Sequence, residues 1–354
     1  MKRIAVFPYN KDVQTLIENR NMISEYEIVA VISYQEDCKR MKNLNKNSDI
    51  YYGTDLEKVC DMVDAILLCE NIQEFELTGY YNKINIASNY GKEILINSIL
   101  YRQIGIEKFT NCKIHVLDKD WPVQNYCSSE IFDIDIPIIS ILGMGENCDK
   151  FSLQLEVYKQ FKERGYNVML ISSNFLGALL GVNPLPEFLF KEDIALTKKT
   201  IYFNHMLYDL VNYKKPEIII LGYPGGVMPV NKFKNNFFSE ISIIISNSIE
   251  SDAGIFSTFF FSRVSNELYT ELKEILKVKF NVAVDDFCMA QQQYSINREK
   301  RQIEYRFFND DVYSRQFPDI KDIDYNVFSV LDKERINNIV NNFIGQFEEN
   351  IDVL

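Results

Sequence analysis

The sequence is short of metal ligands. It has only two histidines, His115 and His205, and its seven cysteines, at positions 38, 60, 69, 112, 127, 148 and 288, form no C-x-x-C pair. A zinc site of ordinary Cys/His spacing is therefore unsupported. Glycine and proline are also scarce, at 14 and 9 residues, and no low-complexity tract or repeat of solenoid period is present. No apolar run approaches the length of a membrane span. Met1-Lys2-Arg3 precedes only a short apolar stretch before Pro8, too short for a secretory signal. With an odd cysteine count, this predicts reduced thiols and a cytoplasmic location. Positive charge is the last deficit: 38 Lys and Arg face 50 Asp and Glu, a net charge of −12. Such a field repels nucleic-acid phosphates and anionic lipid, so neither nucleic acid nor membrane is expected as a partner. The one basic cluster, Asn297-Arg298-Glu299-Lys300-Arg301, is interrupted by an acid and reads as a solvated hairpin turn.

What is present is ordinary globular material: 47% hydrophobic and 25% charged residues over 354 positions, enough for two domains with their own cores. Buried-strand runs alternate with helical segments in both halves, which predicts an α/β protein with two mainly parallel, three-layer sheets. Residues 1–130 read as a Rossmann-like domain, with strands at Arg3 to Phe7, Glu27 to Ser33, Ala65 to Cys69 and Lys113 to Leu117, and helices at Asp12 to Arg20 and about Gly91 to Tyr101. The first strand ends in Pro8-Tyr9-Asn10 with no glycine, so a dinucleotide pyrophosphate lacks its usual close approach there. Asn10, Ser33 and Glu70, at strand ends, are expected to cap rather than bind.

Residues 131–354 begin a second domain after the linker-like Asp118-Lys119-Asp120-Trp121-Pro122. Strands are predicted at Ile138 to Leu142, Asn167 to Ile171, Glu217 to Leu221, Ile241 to Ile245 and Asn281 to Val284, with a helix over Ser265 to Lys277. Gln293 to Ile296 and Gln302 to Phe307 form a hairpin pattern. The chain ends in an amphipathic helix with Ile336, Ile339, Val340, Phe343, Ile344 and Phe347 on one stripe.

The chemical information is concentrated in Ile138 to Ser152. A buried strand ends at Gly143, passes through Met144-Gly145-Glu146-Asn147-Cys148-Asp149 to Lys150, and enters a helix that closes at Gly165. Strand–loop–helix is the context in which main-chain N–H groups and a helix N-terminus can hold phosphate oxygens, with lysine adding a point charge. Gly143, Gly145, Asn147, Asp149, Lys150 and Ser152, with Gly225-Gly226 after a later strand, are the candidate phosphate-binding residues. The loop resembles that of dethiobiotin synthetase and its relatives, in which a glycine stands seven residues before the lysine and a Gly-Gly follows the third strand.

Three departures bear on activity. Asp149 replaces the glycine before the lysine, and a carboxylate about 4 Å from a phosphate charge costs on the order of 4 kcal/mol at intermediate dielectric. Phe151 stands where Ser or Thr would bind Mg²⁺. The third strand ends in Leu221-Gly222-Tyr223-Pro224, without an acid. Three readings follow: a retained fold with lost or altered nucleotide chemistry, an active ATP- or GTP-dependent enzyme with Mg²⁺ held by Glu250 or Asp252, and a chance match on a β–α unit.

Other features have plain explanations. Ser172-Ser173-Asn174 suits a cap, Asp285-Asp286 reads as solvated acids ending a strand, and Cys148 reads as incidental. His205 and Phe259-Phe260-Phe261 are expected to pack in the core.

Taken whole, the chain resembles a clostridial family of peptide maturation system proteins from ribosomal natural-product and bacteriocin clusters. The resemblance rests on Lys2-Arg3-Ile4-Ala5-Val6-Phe7-Pro8-Tyr9, the loop from Gly143 to Lys150 and the Leu221-Gly222-Tyr223-Pro224-Gly225-Gly226 turn. It implies a role in natural product biosynthesis, with a precursor peptide, a radical maturase or an acyl-carrier-like protein as partner. It supplies no catalytic residues and no oligomeric state. Two roles remain open: an accessory protein on a P-loop-like scaffold, or an enzyme that activates a peptide carboxylate or side chain by phosphoryl transfer.

Overall fold

The computed structural model describes residues 1–37, 49–70, 77–106, 109, 111–118, 129–230, 235–299 and 302–351. Residues 119–122 of the expected linker, positions 300 and 301 of the hairpin turn, and Cys38 and Cys127 lie outside the described residues. The chain divides into two compact units, Met1–Pro122 with Phe175–Glu187, and Val123–Asn174 with Phe188–Leu354. The stretch Phe175–Glu187, expected in the second domain, thus groups with the first.

In the first unit, β1 (Lys2–Phe7), β2 (Tyr26–Ile32), β3 (Tyr51–Gly53), β4 (Ala65–Leu68), β5 (Glu93–Ile96) and β6 (Ile114–Val116) form one parallel sheet. Their order, β3-β2-β1-β4-β5-β6, is the Rossmann order. The last four residues of β1 and all of β4 are buried, which is why both read as unbroken apolar runs. Helices α1 (Lys11–Glu18), α2 (Leu77–Asn89) and α3 (Ser98–Ile104) connect them. The helix expected from Gly91 to Tyr101 is two elements. Glu93–Ile96 is β5, and the Asn97 side chain then caps α3 by accepting from the Leu100 amide. The unit also contains the two-residue strand β9 (Asn183–Pro184).

The strand ends of this unit are tied to the protein itself. The Asn10 side chain accepts from the Val13 amide at 2.8 Å and donates to the Glu70 carbonyl at 2.9 Å. The Ser33 hydroxyl accepts from the Tyr9 amide, and the Glu70 carboxylate accepts from Asn97 at 2.6 Å. All three act as local braces.

The second unit contains β7 (Ile138–Gly143), α4 (Lys150–Glu163), β8 (Val168–Ser172), α5 (Leu196–Lys214), β10 (Ile218–Gly222) and α6 (Glu240–Ser246). It continues with β11 (Ala253–Thr258), α7 (Asn266–Phe280), β12 (Val284–Met289), the hairpin β13 (Gln292–Asn297) and β14 (Gln302–Phe307), α8 (Asp310–Gln316), β15 (Asn326–Ser329) and α9 (Lys333–Ile351). Within this unit the parallel strands lie in the order β15-β12-β11-β7-β10-β8. The strand feeding the lysine loop is central, flanked by β10 and β11. Its carboxyl end is therefore where the connections part to either side, the usual place for a ligand crevice. Five of the six stripe residues of α9, all but Ile344, are buried, and Arg164 at the end of α4 donates to Asn337 and Asn341 of α9, so this helix packs on its own unit.

Two strand expectations are corrected. Residues 241–245 form α6, not a strand; the strand beside β7 is β11, which follows it. The strand expected at residues 281–284 is instead β12, so Asp285 and Asp286 begin a strand rather than end one.

Candidate functional site

The loop between β7 and α4 brings Gly143, Gly145, Asn147, Asp149, Lys150 and Ser152 together with Gly225 and Gly226, which leave β10. Small residues are needed at two close approaches. A Cβ on Gly145 would meet the Phe259 ring at 2.5 Å, and one on Gly226 would overlap the Met144 carbonyl and the Asn236 amide. Gly226 thus lets the second glycine turn lie against the lysine loop. The Val227 amide donates to the Gly143 carbonyl at 3.0 Å, and Asn236 donates to the Met228 carbonyl at 2.5 Å.

Lys150 occupies the space between the two turns. Its ammonium donates to the Gly145 carbonyl at 2.5 Å and to the Gly225 carbonyl, and the residue is only 4% exposed. A cation at a helix N-terminus is opposed by the helix dipole. The two carbonyls offset that repulsion, so the space between the turns is taken up by a cation and its acceptors.

Cys148 packs beneath the loop. Its thiol accepts from the Gly145 amide and donates to the Gly145 carbonyl, each at 3.0 Å. It is fully buried with Phe259 and Ala290, and Met144, Tyr294 and Tyr305 pack around them. Burial pushes the thiol up to about 11, so it is neutral at physiological pH. The residue expected to be incidental is part of the loop's core.

Asp149 adopts φ 54°, the left-handed conformation that explains why glycine suits this position. Its carboxylate does not cap α4. It accepts from the Gln291 amide at 2.7 Å and from the Gln292 side chain at 3.2 Å, fastening the loop to the start of the hairpin. The start of α4 has no side-chain cap, so its N–H dipoles still point at the loop. Ser152 lies on the first turn of α4, half-buried, while Phe151 beside it is 3% exposed.

The carboxyl ends of β8 and β10 are filled by a neutral amide. Gln154, fully buried, accepts from the Ser172 hydroxyl and the Ser173 amide and donates to the Ser173 hydroxyl at 2.8 Å. These serines brace Gln154. The carboxamide also sits against Gly222, where a third-strand acid would hold Mg²⁺.

The metal candidates are misplaced. Glu250 and Asp252 precede β11 rather than follow a strand, and the Asp252 carboxylate accepts from the Ile138 amide at 2.8 Å. That fixes it at the start of β7, six residues or about 20 Å from the lysine loop. No cluster of three or more metal-ligating side chains occurs among the described residues. His205 is buried, with Nε2 2.7 Å from the Glu130 carbonyl and its ring 4.5 Å from Phe132, a packing role as expected.

Sequence reasoning missed the Gly225 carbonyl as a partner of Lys150, the burial of Cys148 and the aromatic cover. None carries a local signal, because each depends on β10, β11 or the hairpin returning to the loop.

The fold and this loop define a class: a two-unit α/β protein, Rossmann-like in its first unit and P-loop-like in its second. No family model and no curated protein matches the sequence. Among solved structures, a DUF1611 family protein from Anabaena variabilis is similar with a TM-score of 0.63 and 10% identity, over 97% of this chain and 100% of that chain. At that identity the likeness shows the fold alone. A pseudomurein peptide ligase type C from Methanothermus fervidus has a TM-score of 0.26 and 11% identity, over 81% of this chain and 44% of that chain. A probable dehydrogenase from Thermotoga maritima has a TM-score of 0.26 and 13% identity, over 60% and 54%. Both are too loose to support an argument. No helix among the described residues is long and apolar enough to cross a membrane.

Proposed function

We propose that the protein is a cytoplasmic, non-catalytic accessory factor in the maturation of a ribosomally made peptide, with the P-loop-like unit serving as its scaffold. The peptide context, with a precursor peptide, a radical maturase or an acyl-carrier-like protein as partner, is supported by the family resemblance. The scaffold role is supported by one observation above others: the Lys150 ammonium is bound to the Gly145 and Gly225 carbonyls. Phosphoryl transfer needs that charge on the γ-phosphate and a metal beside it. Here lysine braces two turns, and Gln154 fills the place of the metal-binding acid.

The second reading, an ATP- or GTP-dependent enzyme with Mg²⁺, is favoured by the uncapped start of α4, which a phosphate would satisfy once Lys150 left its carbonyls. Thermal unfolding with Mg·ATP, Mg·GTP and the free nucleotides separates the two. A ligand at one hundred times its dissociation constant stabilises by about 2.7 kcal/mol. The scaffold role predicts no shift; a shift abolished in Lys150→Ala contradicts it. Co-expression with the neighbouring genes tests the peptide context, where retention of the precursor peptide or maturase is expected and repeated failure to retain either sinks it.

A further inference from the structure

A second concave site lies in the P-loop-like unit, at the opposite end of the parallel strands from the lysine loop. It is a cavity of about 650 Å³ between α7 and α9, over the amino-terminal ends of β12 and β15. That volume falls within the range of ligand sites.

Its longest wall is α9, which presents Asn338, Asn342 and Gln346 to the cavity. These carboxamides are exposed and stand at i, i+4 and i+8, one above the other on a single helix face. Four residues of helix advance about 6 Å. Every second residue of an extended chain advances about 6.8 Å and presents its main-chain groups to the same side. Each carboxamide has both a donor and an acceptor to offer a peptide unit. A ladder at this spacing suits an extended peptide better than a compact ligand.

The facing wall is acidic. Asp286 has one carboxylate oxygen bound to the Asn326 side chain, and Asn326 in turn accepts from Arg335 Nε at 2.6 Å. Asp324 accepts from Asn266 at 2.9 Å. Asp285 is already paired with Lys273. With Lys273 and Asp285 paired, two acids, Asp286 and Asp324, face one base, Arg335, around the cavity. Ile339 and Phe343 lie buried between the carboxamides and form the floor of the cavity.

We propose that this cavity docks an extended peptide segment bearing a lysine or arginine, with α9 carboxamides pairing its main chain and Asp286 and Asp324 receiving the cation. The proposal is independent of whether the lysine loop binds a nucleotide. Burial raises the Asp286 carboxyl to about 6, while Asp285 opposes and Arg335 favours its ionisation. Docking therefore weakens as pH falls through 6, with Asp324 keeping part of the attraction.

The test uses the full chain and a fluorescent, amidated nonapeptide of alternating lysine and threonine, followed by anisotropy. The matching glutamate–threonine peptide is the control. A net charge of −12 attracts any cationic peptide, so the deciding variant is the charge-neutral pair Asn338→Ala, Asn342→Ala. Both positions are exposed on a helix that tolerates alanine, which keeps the fold intact. Affinity for the lysine peptide should fall at least tenfold in this double variant and several-fold in Asp286→Asn, and the glutamate peptide should not bind. Absence of binding, or affinity unchanged in the double variant, overturns the proposal.

Discussion

Replacing Asp149 by glycine restores the residue that a phosphate loop ordinarily carries before its lysine, and the structure predicts that this will damage the protein. The carboxylate receives two hydrogen bonds inside the protein, from the Gln291 amide and the Gln292 side chain. Bonds to a charged group contribute about 1.5–3 kcal/mol each, and removing the acceptor leaves a buried N–H unsatisfied. Relief of the left-handed backbone returns about 1 kcal/mol, and the extra freedom of glycine in the unfolded chain cancels much of that. The net loss is about 3 kcal/mol, or a fall in Tm of about 6–12 °C for a unit of this size. Urea unfolding followed by circular dichroism measures it. Asp149→Asn keeps an acceptor and tolerates the left-handed conformation, so it should lose only about 1 kcal/mol. If Asp149→Gly is as stable as the parent, the carboxylate is not an anchor and the account of the loop is wrong.

Two further outcomes follow from shifted titrations. Asp286→Asn should leave stability near pH 4 little changed and raise it by about 3 kcal/mol at pH 7.5. Its carboxyl is held up to about 6, so the parent loses stability as pH rises through that value; no pH-dependent difference in urea unfolding would refute this. Cys148, neutral until about pH 11 and fully buried, should resist iodoacetamide in the folded protein at pH 8. Peptide mapping showing Cys148 alkylated as fast as in urea would mean the loop is open.

The legible parts of the sequence were those whose signals are local. The run from Ile138 to Gly143, the lysine and the helix ending at Gly165 identify β7, the loop and α4 without knowledge of the rest. Fully buried strands such as β1 and β4 are equally plain. Misreadings arose where tertiary context overrides propensity. Ile241 to Ile245 is β-branched yet helical, because Ile244 and Ile245 bury one face of a short helix. β11, Ala-Gly-Ile-Phe-Ser-Thr, hides behind small and polar residues that are buried beside β7. The start of β12 was obscured by Asp285 and Asp286, which line a cavity at the sheet edge. The metal assignment to Glu250 and Asp252 failed with the strand before it, since misplacing one strand moves its acids to the wrong end of the sheet.

The central claim is that Lys150 holds two glycine turns together. Urea unfolding of Lys150→Met, with no nucleotide present, tests it most directly. The variant leaves two buried carbonyls without their cation and should lose about 2 kcal/mol. Unchanged stability without nucleotide, accompanied by loss of nucleotide binding that the parent possesses, would show instead that the lysine is held ready for phosphate.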